Sequence, residues 1–167
     1  LVVMDGRLFW IQDAYTTTNR YPYSEPHGDG LNYIRNSVKA VIDAYDGSVT
    51  FYVTEPEDAL IRTYQAIFPS LFVPVEQMPE SLRAHIRYPE DMFNIQAWVY
   101  QSYHMRDARV FYNKEDLWAT PMEVYAGTGQ LMEPYYIIMR LPDAEEEEFL
   151  LVQPFTPMNK HNNIASI

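Results

Sequence analysis

Apolar and polar positions alternate through the N-terminal part of the chain, and a period of two predicts strands. Leu1-Val2-Val3-Met4 and Arg7-Leu8-Phe9-Trp10-Ile11-Gln12 flank Asp5-Gly6, a pair suited to the positive φ angles of a short hairpin loop. The chain opens inside this hairpin without an initiator Met, so we expect more polypeptide before Leu1. From Thr16 to Gly30 the residues turn to Thr, Asn, Pro, Ser and Gly, which predicts a long loop carrying Tyr21 and Tyr23. The segment Asn32 to Tyr45 fits both a strand and a helical stripe. Asp46-Gly47 and the β-branched, aromatic run Ser48 to Thr54 after it decide for a second hairpin.

A helical period follows. Thr54-Glu55-Pro56-Glu57-Asp58 supplies a cap and a first-turn Pro, Leu60, Ile61, Tyr64, Ile67 and Phe68 share one face, and Pro69 ends the helix. A short helix is predicted from Pro79 to Ile86 and a longer one from Pro89 to His104. Met92, Phe93, Ile95, Ala97, Trp98, Val99, Tyr100 and Tyr103 spread apolar surface nearly all round the longer helix. That predicts the most buried helix of the chain, covered on two sides, in part by polypeptide beyond it. One helical turn is expected at 113–118, then strands at about 123–125, 135–141 and 149–155, the last two paired. Their connection packs five carboxylates, Asp143 and Glu145 to Glu148, at a tip where repulsion is tolerable only in water, with cation binding as the alternative. The polar tail 159–163 is expected to fray. Together these elements predict an α+β fold over 1–167, an antiparallel hairpin-built sheet with two or three helices packed on one face.

Composition changes this picture in few places. At 167 residues, with 47% apolar and 15% aromatic content, the chain is long enough and apolar enough for a packed core. It carries 23 acidic against 12 basic residues, a net charge of −11, which argues against a nucleic-acid backbone or an anionic bilayer as direct partner. Much of the acidity (Glu57, Asp58, Glu80, Glu90, Asp91, Glu115, Asp116) falls where helices are expected to begin and complements their dipoles. Cysteine is absent, which excludes disulfides, thiolate zinc sites and a cysteine nucleophile. No apolar run approaches the roughly 18 residues needed to cross a bilayer, so no direct membrane insertion is expected of this segment.

Catalytic motifs are equally sparse. No serine has Gly-x-Ser-x-Gly flanks, and His27, His85, His104 and His161 are scattered without a His-Glu-x-x-His. Asp43-x-x-Asp46-Gly47 and His27-Gly28-Asp29-Gly30 hold only parts of a calcium loop, and Gly127-Thr128-Gly129 has no helix after it to build a phosphate site. We therefore expect no metal and no cofactor, and read these glycines as turns. Acids able to act in pairs converge only in a fold, with Asp13, Asp29 and Asp91 as candidates for an envelope hydrolase. The tyrosines are the remaining oddity. Tyr15, Tyr21, Tyr23, Tyr135 and Tyr136 form a candidate binding surface, since exposed tyrosines suit sugars and proteins, against the alternative that their rings merely cover a sheet edge.

Five strings then read together: Val3 to Thr17, Asn32 to Tyr45, Leu82-Arg83-Ala84-His85-Ile86-Arg87-Tyr88-Pro89-Glu90-Asp91, Val110-Phe111-Tyr112-Asn113, and Gln153-Pro154-Phe155-Thr156-Pro157-Met158-Asn159. In order and spacing they resemble the uncharacterised protein family 0182 of bacterial membrane proteins, over nearly the whole chain. The resemblance implies a parent with several transmembrane helices near its N-terminus and a large extracytoplasmic region, of which this chain would be part. It implies no reaction, cofactor or catalytic residue. The expectation is thus a non-enzymatic extracytoplasmic interaction or structural domain at the cell membrane. Its expected partner is an envelope protein or glycan, or the remainder of its own parent chain. The alternatives are the envelope hydrolase and a portion of a transporter's outer vestibule.

Overall fold

The computed structural model describes residues 1–28, 30–142, 144–158 and 164, which form two compact units, Leu1–Met92 and Phe93–Ile167. Asp29, Asp143, His161 and the polar tail 159–163 lie outside the described residues.

The first unit is built on a five-stranded sheet in sequence order: β1 (Val2–Met4), β2 (Arg7–Thr18), β3 (Tyr33–Asp43), β4 (Val49–Val53) and β5 (Phe72–Pro74). Both expected hairpins form. Asp5 and Gly6 take φ of 49° and 75° between β1 and β2, as a tight two-residue turn demands. The second turn is wider than Asp46-Gly47 alone suggests. β3 stops at Asp43 and β4 starts at Val49, and only Gly47 takes a positive φ, 74°. The expected loop starts late as well. Thr16, Thr17 and Thr18 continue β2 in register with Arg35, Ile34 and Tyr33, because β-branched side chains favour the extended ladder. β5, unforeseen, pairs parallel to β4 after helix α1 (Ala59–Ile67), closing a β-α-β unit.

Alternation along the strands sorts the core. Val38 and Val53 pack with Ile61 of α1, whereas Val41 and Tyr52 pack with Met78 and with Leu82 of α2 (Glu80–Arg83). Val38 lies three positions from Val41 and Val53 is adjacent to Tyr52, so the two clusters occupy opposite faces of the sheet. The expected α+β class holds, with helices packed against a hairpin-built sheet, and α1 and α2 serve its two faces separately. A 3-10 turn at Val75–Gln77 delivers Met78 to its cluster.

The boundary of the two units falls within α3 (Glu90–Tyr103), as predicted in extent but not in burial. None of its residues is buried, and Trp98, Val99, Tyr100 and Tyr103 are exposed. Apolar residues on all sides therefore did not mean a covered helix here. Of its aromatic side chains, Trp98 lines one cleft and Phe93 and Tyr100 another. The second unit continues with α4 (Ala108–Asn113), β6 (Trp118–Ala119), β7 (Met122–Tyr125), β8 (Thr128–Leu131), β9 (Tyr135–Met139), β10 (Glu148–Val152) and β11 (Thr156–Pro157). The helical turn expected at 113–118 lies earlier, because Asp107 caps the Arg109 and Val110 amides and Lys114 ends α4 at φ 53°. Glu115 and Asp116 consequently follow a helix instead of opening one.

The strands of this unit pair as three two-stranded ribbons, β7 with β8, β9 with β10 as expected, and β6 with β11. Glu145 to Glu148 at the β9–β10 tip are all exposed. Among the described residues no helix is long and apolar enough to cross a membrane.

Ile61 is 1% exposed and closes the α1 face, while Val99 sits at the surface of α3. Ile61→Ala should cost about 3 kcal/mol by urea denaturation, and Val99→Ala less than about 1 kcal/mol. Equal losses would return α3 to the core.

Candidate functional site

In the first unit the polar groups converge on Asp58. As the N-cap of α1, its carboxylate accepts from the Leu60 and Ile61 amides at 3.2 Å each. Thr16 Oγ1 of β2 and Ser37 Oγ of β3 donate to Oδ2 at 2.6 and 2.7 Å, and the Tyr33 hydroxyl donates to Oδ1. A β-bulge makes this possible. Asn36 and Ser37 together stand opposite Tyr15, between the Ala14–Val38 and Thr16–Arg35 pairs, and the extra residue brings Ser37 alongside Thr16, 2.9 Å away. Burial pushes the Asp58 carboxyl up, but the hydrogen bonds from Thr16, Tyr33, Ser37 and the Leu60 amide outweigh it and hold the group at about 2. Tyr33 is driven the other way, to about 12, by burial and by its bond to that carboxylate.

A second cluster gathers on the opposite face. Lys39, its side chain 4% exposed, pairs with Asp13, its cross-strand neighbour, and reaches the Arg87 carbonyl at 3.5 Å. Tyr15 is pushed up to about 12 by burial first, then by Asp13 and Asp91 and a hydrogen bond with Asp91. The fold thus brings Asp13 and Asp91 to one tyrosine. Asp13 is committed to a buried cation there, as a structural ion pair requires.

The five candidate tyrosines do not form one surface. Tyr15 is half-buried in the acidic cluster. Tyr21 stacks on Tyr33 with centroids 5.0 Å apart, and the Arg35 guanidinium lies 5.2 Å from the Tyr33 ring. Tyr23 is fully exposed at φ 61°. Tyr135 and Tyr136 belong to the second unit, on β9, where Tyr136 stacks on Phe149 at 4.8 Å. Asp29 lies outside the described residues.

A concave site that sequence reasoning missed lies in the second unit. Asn94, Ala97, Trp98 and Gln101, spaced i, i+3, i+4 and i+7, put one face of α3 along a cleft of about 680 Å³. Ala119, Thr120, Gln130, Leu131, Met132, Glu133 and Gln153 complete it. Four of the lining side chains are amides, and Glu133 is the one charged group. Gln101 Nε2 donates to Thr120 Oγ1 at 3.1 Å, Gln130 Nε2 to Glu123 Oε1 at 3.0 Å, and Gln153 Nε2 to the Pro154 carbonyl at 3.1 Å. The neighbouring α3 stripe, Phe93, Gln96, Ala97 and Tyr100, lines a second, more apolar cleft of about 430 Å³ that shares Ala97 and Gln153. Its wall is stiffened by an aromatic cluster. His104 stacks on Trp118 at 3.7 Å, and Tyr100 meets Trp118 and Phe155 at 5.8 and 6.1 Å. The α3 spacing was the available signal, obscured by the apolar residues around it. Among the described residues no group of three or more acids and histidines could hold a metal ion.

The family model for "Uncharacterised protein family (UPF0182)" matches residues 1–167. A UPF0182 protein of Methanospirillum hungatei is 55% identical over 99% of this chain and 19% of the relative. One from Sulfurovum sp. is 59% identical over 97% and 18%, and one from Trichodesmium erythraeum 56% identical over 95% and 16%. The chain thus spans about a fifth or less of the curated relatives it matches. No solved structure matches it.

Because the Asp58 carboxyl sits below its ordinary value of 3.8, its stabilisation is complete above about pH 5 and is lost as pH falls through 3.8 towards 2. The contribution is on the order of 2 kcal/mol. Asp58→Asn should lower stability at pH 7 by at least that amount and flatten the acid limb of the pH–stability curve. An unchanged acid limb, read by urea midpoints from pH 2 to 7, would contradict this role.

Proposed function

We propose, from the premise that this chain belongs to the uncharacterised protein family UPF0182, that it is a non-catalytic recognition domain for a neutral glycan, carried on the extracytoplasmic side of a multi-pass membrane protein. The observation that carries the reading is the cleft of the second unit. It pairs an indole, Trp98, 40% exposed, with four side-chain amides and no cation. A flat aromatic face and fixed hydrogen-bonding groups are what a sugar ring needs, and the reacting pair of groups that a hydrolase needs is absent from this lining. Charge points the same way, since a net −11 disfavours anionic ligands and the single carboxylate of the cleft has no counter-charge within it. On the first unit, the exposed Tyr23 and the Tyr21–Tyr33 stack are a secondary contact surface in this reading.

The test is binding of the detergent-solubilised parent to immobilised envelope glycan strands. Trp98→Ala should weaken retention about tenfold, on the order of 1.4 kcal/mol, and Tyr21→Ala should weaken it less. A parent that is not retained, or is retained equally after Trp98→Ala, would remove the proposal.

A further inference from the structure

The β9–β10 ribbon is sparsely covered. It has two strands, so each has an unpaired edge among the described residues, and two-stranded ribbons are marginal alone in water. Its faces are apolar on both sides except at the tip, where Glu148 stands opposite Met139. On one, the cross-strand partners Ile138 and Phe149 are 70% and 52% exposed, and Tyr136 stacks on Phe149. On the other, Tyr135, Ile137 and Met139 alternate in the same strand and are exposed as well. No charged side chain interrupts β9. The neighbouring ribbon shows the same want of cover, with Val124 of β7 79% exposed.

We infer that the β9–β10 ribbon is an internal docking surface, taken up by an apolar β-segment of the same polypeptide lying outside residues 1–167. Three observations select this occupant. The relatives carry at least four-fifths of their length outside the matched region, so ample chain exists to supply it. An edge strand with apolar residues on both faces adds a third strand through backbone hydrogen bonds and buries alternate side chains of the newcomer. A tethered segment meets the ribbon intramolecularly, at an effective concentration that dilution does not lower, unlike a second copy or a foreign protein. Ile138 and Phe149 line neither cleft of this unit, so cross-linking from them and glycan retention through Trp98 are read separately.

The experiment uses the full-length parent, with p-benzoylphenylalanine placed at Ile138 or, in a second variant, at Phe149, and at Glu146 of the exposed tip as control. Irradiation should join the Ile138 or Phe149 peptide to a peptide outside 1–167 of the same chain, with a yield unchanged on tenfold dilution, and should leave the Glu146 variant largely uncoupled. Cross-links to a second copy that fall with dilution, cross-links to another protein, or no cross-link from either position would overturn the inference. The two positions guard against one substitution disturbing the fold.

Discussion

The carboxylate of Asp58 is the constraint on which the first unit turns. One side chain accepts from five donors on three elements: Thr16 of β2, Tyr33 and Ser37 of β3, and the first amides of α1. Each donor is an ordinary group that would otherwise need water, and burying it is tolerable only because the acceptor is charged and central. The same atoms register three layers of structure. Ser37 arrives through the bulge in β3, α1 is started by the cap, and Ile61, one turn into the helix, is thereby aimed at Val38 and Val53. Tyr33 extends the chain of dependence outward, for its ring carries Tyr21 and lies beside Arg35.

The second unit is organised on a different principle. Its strands form separate ribbons, and its best-ordered packing is aromatic, with Phe155 buried against Trp118 and Tyr100. Tyr100 and Phe155 of this cluster line the smaller, more apolar cleft, and the adjacent stripe of α3 lines the larger, more polar one.

Local chemistry was the legible part of the sequence. Alternation and Asp-Gly turns placed β1 to β4, and Pro and acid signals placed α1 to α3. What failed was whatever depends on distant residues. The β5 strand, Phe72–Pro74, is three residues long and owes its existence to β4 beside it. β8 contains Thr128 and Gly129, which read as part of a turn and became a strand only through β7. Asp58 was legible as a helix-start acid, but its meeting with Thr16, Tyr33 and Ser37 required a bulge that no local pattern encodes. The helix α3 was misjudged for the opposite reason. Its hydrophobicity was legible, but hydrophobicity does not say whether the covering partner is core, ligand or other chain.

The distribution of charge gives the functional reading its direction. In the first unit, three acids are engaged in place. Asp58 is saturated by donors, Asp13 is bound to Lys39, and Asp43 is held below its usual range by the Tyr45 amide and by Arg7 at 2.6 Å. A carboxylate so engaged is a poor proton carrier, since moving its proton means breaking the structure that it supports. The larger cleft of the second unit is built instead from amides, which do not titrate, and from an indole. Charge holds strands together in the first unit, and in the cleft it is confined to Glu133. Under the glycan-recognition proposal, the work of this lining is selection by shape and hydrogen bonding.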